Sequence, residues 1–344
     1  MRLRNRVSTC LWLCASLICL TLVTAACAGG DPQDTLHANG HVTAIIRGLF
    51  YPVFWIAVGV FVLVFGLLVY ILIRFRDRGG RQMPVQTHGS TPLELTWTAI
   101  PALMLLGIAI PTIATLVQVN TPPPDSMVID VVAHQWWWEF DYPQQNINTD
   151  SGTTINIPQK VVTADEMHIP AGKPVRVNLH SNDVIHSFWV PTLAGKQDVI
   201  PNHDGYIWLS AYQPGTFDGQ CAQFCGEQHA QMRFRVVADA PADFQSWVNS
   251  QTPNASIGSL PQAFDSNGCS GCHTIAGTSA AGQVGPNLTH FASRAWFEEM
   301  ENNPDDVRRW ITDPQGIKHG NDMKIGKLSD QDTQSLLNLL ESLK

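Results

Sequence analysis

With 344 residues the chain is too long for one small module, and the usual size of autonomous domains implies two or three units. Asp and Glu outnumber Lys and Arg by 29 to 21, a formal net charge of -8, so no basic face stands ready to neutralise a nucleic-acid backbone. An acidic surface of this kind can attract a basic protein donor, and the 44% hydrophobic content is an ordinary mean that conceals apolar blocks near the N-terminus.

Residues 1–27 combine Arg2, Arg4 and Arg6 with the apolar run LWLCASLICLTLV and a small-residue end, TAAC, which is the pattern of an export signal. Cys27 after Ala25 and Ala26 resembles a bacterial lipoprotein cleavage site at which the cysteine takes lipid, with Thr24 where leucine is usual. Residues 28–120 then hold two apolar segments, about 49–73 and 93–119, each long enough to cross ~30 Å of hydrocarbon. Between them RFRDRGGRQ carries Arg74, Arg76, Arg78 and Arg81, which places that loop in the cytoplasm and everything after about residue 120 on the outer, periplasmic side of a bacterial inner membrane. Pro101 and Pro111 inside the second segment are tolerated where neighbouring helices satisfy the freed carbonyls, pointing to a larger membrane partner.

From Met127 the pattern changes to short β-branched and aromatic runs, MVIDVVAHQWWWEF, VVTADEMHIP, KPVRVNLHS, YIWLSAY and MRFRVVA, separated by Pro, Gly and Asn clusters. They predict an antiparallel β-sandwich or barrel over 121–240. Alternation along HQWWWEF puts Trp136 and Trp138 on one strand face and Trp137 on the other. Residues 241–258, rich in Pro, Ser and Ala, read as a short helix and a linker. The final unit, 259–344, turns helical in FASRAWFEEMENN, DDVRRWI and SDQDTQSLLNLLESLK, the last with Ser329 as its cap and Leu336, Leu337, Leu339, Leu340 and Leu343 on one face.

Of eight cysteines, Cys10, Cys14, Cys19 and Cys27 lie in the first apolar stretch, and the other four form two close pairs, each beside a histidine. In CAQFCGEQHAQM, Cys221, Cys225, His229 and Met232 follow one another at spacings of four, four and three. Thiolate, imidazole and thioether are the ligands of electron-transfer copper. Two cysteines so close in one loop can bring both sulfurs to a pair of metal ions and bridge them. Zinc could use two cysteines and two histidines but would leave Met232 and the aromatic run without a role.

This loop resembles that of copper A centres, found in subunit II of haem-copper oxidases and in nitrous oxide reductases. The resemblance implies a cupredoxin-like fold for 121–240 and a binuclear copper site held by His186 of DVIHSFWVP, Cys221, the Gln223 backbone carbonyl, Cys225, His229 and Met232. His134 and His180 are left as non-ligands. Oxidases commonly carry glutamate where this chain has Gln223, so the magnesium ion that this carboxylate helps to bind at the subunit I interface is in doubt. In the same family the first tryptophan of the aromatic segment receives electrons, a role that falls on Trp136, and the Glu-x-x-Trp-Thr segment of the second membrane helix puts a carboxylate at a proton-channel mouth, which is Glu94 here. Nitrous oxide reductases need a further histidine-rich copper domain, for which this chain has neither the room nor the histidines.

CSGCH supplies Cys269, Cys272 and His273, the attachment pattern of a c-type haem, in which two thiols bind the vinyl groups and the histidine binds iron. Met323 in HGNDMKIG is the expected sixth ligand; Met300 in a predicted helix, His290 and His319 are its rivals. GPNL, 285–288, is similar to the loop that lies against haem in small c-type cytochromes. The combination implies a multidomain membrane protein with a two-helix hairpin, a cupredoxin-like β-sandwich or barrel, and a small all-α cytochrome c domain. As subunit II of a bacterial cytochrome c oxidase it would take electrons at haem c from a cytochrome c or a quinol-cytochrome c reductase and pass them through copper A to subunit I. It would sit in membrane lipid among the other oxidase subunits. The competing reading is a membrane-tethered electron carrier without an oxidase, against which a two-helix anchor and Glu94 both argue.

Overall fold

The computed structural model describes residues 33–76, 86, 88–149, 152–251 and 259–344. The export signal with Cys27, and Arg78 and Arg81 of the basic loop, lie outside the described residues. Two helices open the chain, α1 (His41–Arg74) and α2 (Thr91–Asn120), each longer and more apolar than a bilayer core requires. Their first and last turns reach past the apolar segments to grip the next unit. Val42 and Thr43 of α1 are buried there, with the Thr43 hydroxyl donating to the Thr192 carbonyl at 2.8 Å, and Tyr206 Oη donates to the carbonyl of Asn120 at 3.1 Å. Between these ends the apolar side chains are exposed, a surface suited to lipid and to other membrane helices.

Twelve strands follow: β1 (Met127–His134), β2 (Trp137–Tyr142), β3 (Gln145–Asn148), β4 (Thr154–Ile157), β5 (Val161–Ala164), β6 (Glu166–Pro170), β7 (Val175–Ser181), β8 (His186–Trp189), β9 (Lys196–Val199), β10 (Gly205–Leu209), β11 (Gly215–Cys221) and β12 (Arg233–Asp239). One sheet has the order β10-β7-β1-β2-β5 and the other β6-β12-β11-β8-β9, with β3 and β4 as a separate hairpin. The sandwich is mixed rather than antiparallel, because β1 pairs parallel with β7 and β12 parallel with β6. Both pairs join strands remote in sequence, where the intervening chain supplies the crossover that parallel pairing needs. Between the sheets Trp138 meets Phe188 and Phe234 at ring-centroid distances of 5.6 and 5.3 Å, and Phe188 stacks on Phe234 at 4.7 Å. Alternation puts these rings inward from each strand.

Asp165 makes the corner where the chain leaves the first sheet for the second. It has φ 58, accepts the Trp138 amide on Oδ1 at 2.9 Å, and its carbonyl accepts the Arg235 amide at 2.9 Å, so one residue ties both sheets. Aspartate is among the few residues that tolerate this left-handed backbone. The run HQWWWEF is not a continuous strand. His134 pairs with Trp137 across a two-residue turn formed by Gln135 and Trp136, so Trp136 leaves the sheet face it was expected to share with Trp138.

The first eleven residues of the expected linker 241–258 form α3 (Pro241–Gln251). Phe244 and Val248, four apart on one helical face, are buried in the sandwich core, and Trp247 stacks on His168 at 4.4 Å. The cytochrome-like unit contains α4 (Gln262–Ser266), β13 (Trp296–Phe297), β14 (Met300–Glu301), α5 (Pro304–Thr312), α6 (Pro314–Ile317) and α7 (Asp330–Ser342). FASRAWFEEMENN is a short 3-10 turn followed by the β13–β14 hairpin, not the predicted helix. Glu298 and Glu299 take φ 45 and 65, the paired left-handed conformation of a tight hairpin turn, which no helical period reveals. Leu336, Leu337, Leu339, Leu340 and Leu343 are all buried, and Ser329 accepts the Asp332 amide at 3.0 Å.

Candidate metal and haem centres

Cys221 ends β11 and Met232 immediately precedes β12, so the antiparallel pairing of these strands closes the loop that carries Cys225 and His229. The Cys221 amide donates to the Met232 carbonyl at 2.9 Å, fixing the base of the loop. The two sulfurs lie 3.8 Å apart. Around them stand His186 Nδ1 at 3.9 Å from Cys221 Sγ, His229 Nδ1 at 3.6 Å from Cys225 Sγ, Met232 Sδ at 3.8 Å from Cys225 Sγ, and the Gln223 carbonyl at 3.2 Å from Cys221 Sγ. The six expected donors therefore come together, four of them around the pair of cysteine sulfurs. Cys221, Cys225, His186 and Met232 are buried, while Gln223 and Phe224 face outward. This set fits a pair of soft, thiolate-bridged metal ions with an imidazole at each end.

The electrostatics suit that use. Hydrogen bonding from the Cys225 thiol, then from His186 and backbone amides, holds Cys221 down to about 3 against the opposing effect of burial. Cys225 is pushed far upward by its contact with Cys221 and by burial. The pair thus shares one proton without difficulty and resists losing the second. Metal cations would displace that proton and remove the repulsion between thiolates. Burial opposes charging of His186, yet the carboxylate of Asp183 and the Cys221 sulfur together hold its pKa above the ordinary imidazole value.

Several supporting residues carried no readable signal in the sequence. Asp183 Oδ1 meets His186 Nε2 at 2.7 Å, orienting the ring so that Nδ1 faces Cys221. Asp183 Oδ2 accepts the Gln135 amide at 2.6 Å, and Gln135 Nε2 donates to the Cys225 carbonyl at 2.7 Å. Trp136 Nε1 donates to that same carbonyl at 3.0 Å, which puts Trp136 directly against the sulfur loop. Gly226, at φ 119, allows the approach: a Cβ there would lie 3.0 Å from both Gln135 Nε2 and Trp136 Cζ2. His134 instead stacks on Trp137 at 4.1 Å, its pKa lowered to about 4 by burial, and His180 pairs with Asp204 at 2.9 Å. Neither approaches the sulfurs.

Where the last unit meets the sandwich, a cavity of about 580 Å³ is lined by Cys269, Cys272, His273 and Met323 together with Phe264, Leu288, Phe291, Trp310 and Leu340, and on the sandwich side by residues that include Trp136 and Asp183. A large flat apolar group suits this lining. His273 Nδ1 donates to the Pro286 carbonyl at 2.8 Å, which leaves Nε2 as the free lone pair that iron requires, and burial lowers its pKa. Gly285 leaves room for the ring, since a Cβ there would stand 2.6 Å from His273 Cε1. Met300, on β14, is not among the residues lining this cavity, and His290 and His319 are engaged with the Lys344 carbonyl and Glu227. Glu94 lies apart from both centres, exposed in the first turn of α2.

Three sequence profiles match the chain. "Cytochrome C oxidase subunit II, transmembrane domain" covers residues 38–115, "Cytochrome C oxidase subunit II, periplasmic domain" covers 127–239, and "Cytochrome c" covers 261–344. The chain is 34% identical to cytochrome c oxidase subunit 2 of Alkalihalophilus pseudofirmus over 97% of its own length and 98% of that protein. It is 32% identical to the Bacillus subtilis protein of the same name, covering 81% and 82% of the two chains. Among solved structures it is similar to the periplasmic domain of subunit II of cytochrome oxidase of Bradyrhizobium japonicum, at 29% identity and TM-score 0.31, covering 38% of this chain and 96% of that one.

Proposed function

Because the chain belongs to the cytochrome c oxidase subunit II family and ends in a cytochrome c domain, we propose that it is the electron-receiving subunit of a bacterial terminal oxidase. In this reading electrons arrive from a cytochrome c or a quinol-cytochrome c reductase at haem c, held by Cys269, Cys272, His273 and Met323. His186, Cys221, the Gln223 carbonyl, Cys225, His229 and Met232 would hold copper A, the exit toward the oxygen-reducing centre of subunit I. The bound groups would supply one-electron redox chemistry at two neighbouring sites.

The chain's own residues do the rest. Cys221 and Cys225 would hold the two metal ions, Asp183 fixes the His186 ring, Pro286 fixes the His273 tautomer, and Trp136 supplies the contact to the sulfur loop. Glu94 would serve the mouth of a proton channel in subunit I, with α1 and α2 anchoring the whole in the inner membrane as a two-pass hairpin. Tethering the cytochrome domain replaces a diffusional encounter by a high effective concentration. The observation that carries this reading is the convergence of four further donors on two sulfurs 3.8 Å apart, beside a cavity that the CSGCH cysteines and histidine line together with Trp136 and Asp183.

The test is purification of the tagged full chain from its own membranes. It should bring a large multi-helix haem protein with it, and the complex should consume oxygen with reduced cytochrome c as donor. A Cys221→Ser complex should assemble but lose that activity together with the two-copper spectrum. Isolation of the chain alone, or undiminished activity in Cys221→Ser, would contradict the proposal.

A further inference from the structure

The turn after α6 joins the two redox units through one buried amine. Lys318, five residues before Met323, has a side chain only 5% exposed, and its Nζ donates to the Trp136 carbonyl at 2.6 Å and to Glu298 Oε2 at 2.6 Å. Trp136 in turn donates from Nε1 to the Cys225 carbonyl at 3.0 Å. A line of three groups thus runs from the loop carrying Met323, through Trp136, to the backbone of a cysteine in the sulfur pair. The same turn is held again just after Lys318: Gln228 Nε2 donates to the His319 carbonyl at 2.6 Å, and at Gly320 a Cβ would reach to 3.6 Å from the Trp136 ring. Trp136 and Lys318 both line the 580 Å³ cavity.

A buried ammonium is costly unless paired, and here its partners come from both units, a carboxylate of the β13–β14 turn and a carbonyl of the β1–β2 turn. Such an arrangement penalises every relative placement of the two units except one. Single-electron transfer between fixed sites falls off steeply with separation, so a residue that fixes the separation governs the rate without touching either redox group.

We propose that Lys318 is a positioning residue for electron delivery, holding the haem-cavity wall against Trp136 so that the step to the copper loop occurs across one fixed contact. This rests on the functional reading above. No bond is made or broken; one electron leaves the cytochrome unit and one arrives at the copper unit.

The test uses the full chain carrying copper and haem, with contents measured first, and compares the native chain with Lys318→Met and Lys318→Arg. After flash photoreduction of the haem, Lys318→Met should transfer to copper at least tenfold more slowly, with both midpoint potentials unchanged, and Lys318→Arg should recover part of the rate. Hydrogen exchange at the amides of 135–137 and 318–320 should quicken together in Lys318→Met. An unchanged rate in a fully loaded Lys318→Met chain, or unchanged exchange, would overturn the proposal. Absence of covalent haem or of copper in the native chain would fail the functional reading instead, and the exchange comparison on that chain would still decide the role of Lys318. Should Lys318→Met not fold, amine acylation of the native chain decides: exposed Lys324 and Lys327 should be modified and Lys318 spared, and equal modification would refute the buried strut.

Discussion

At the scale of single residues, the chemistry was legible wherever a motif is contiguous. Cys221, Cys225, His229 and Met232 fall within twelve residues, and the two strands that bracket them need only pair for the donors to converge. His273 declares itself by its place after two cysteines. Asp183, Gln135 and Lys318 do not, because each acts through a partner remote in sequence or through a backbone carbonyl, and neither spacing nor composition records such a contact. Only its loop context sets Met323 above Met300 in the sequence; in the structure Met323 lines the cavity, while Met300, on β14, packs against the apolar core of the last unit and is not among the cavity's lining residues. Replacing Met323 by alanine should leave the haem covalently attached through Cys269 and Cys272. It should also abolish the absorption band of methionine-ligated iron and lower the midpoint potential, measured by redox titration, since a thioether axial ligand raises it. Retention of both band and potential would transfer the ligand role elsewhere.

Among elements, long periodic patterns gave reliable expectations and corners did not. The leucine face of α7 and its Ser329 cap stand as the 3.6-residue period requires. Two departures are turns, Gln135–Trp136 interrupting what looks like one strand and Glu298–Glu299 what looks like one helix, and a third is the parallel pairing of β1 with β7 and of β12 with β6, which joins strands too remote in sequence for any local pattern to announce. Both turns form because tertiary pairing of the flanking residues outweighs local pattern, and both lie beside the contact between the sandwich and the cytochrome unit. Asp165, the corner between sheets, belongs to the same region and gives it a pH dependence. Burial first, and then the nearby Glu298 carboxylate, hold its pKa up to about 7 despite the opposing charges of Lys318 and Arg294. A carboxylic acid raised in this way retains its proton in the folded state over the range from the ordinary value of ~4 up to about 7. Its contribution is therefore whole below pH ~4 and is lost as pH rises through about 7. Hydrogen exchange at the amides of Trp138 and Arg235, which bond to Asp165, should be slower near pH ~5.5 than near pH ~8.5 after correction for the intrinsic rate, and Asp165→Asn should flatten that difference. Equal protection at both values in the native chain would show that the acid does not titrate in this range.

On the scale of the whole molecule, the order of membrane hairpin, sandwich and helical unit was readable from shifts in residue period, because each environment imposes its own, and the CSGCH motif marked the last as a cytochrome. What no shift announces is that the units touch. Arg235 reaches Glu301 at 3.4 Å and lies over the Trp296 ring at 4.9 Å, and the Ala295 amide donates to Glu166 at 3.2 Å, so the cytochrome unit is seated on the sandwich rather than hung from it. The membrane hairpin carries its own prediction. If Glu94 serves a proton channel of the partner subunit, Glu94→Gln in the assembled oxidase should slow steady-state oxygen consumption severalfold while leaving reduction of copper by the haem unchanged. Full turnover in that variant would remove Glu94 from the proton route.

Everything proposed for this chain requires it to hold a two-copper centre and a covalent haem in adjoining units. Metal analysis, the pyridine haemochrome assay and electron paramagnetic resonance on the detergent-solubilised full chain address it most directly. Two coppers sharing one unpaired electron, with one low-spin haem bound through thioethers, is the result predicted from Cys221, Cys225 and the CSGCH segment. A single copper with an ordinary mononuclear spectrum, a zinc ion in its place, or haem that can be extracted by acid acetone would contradict it.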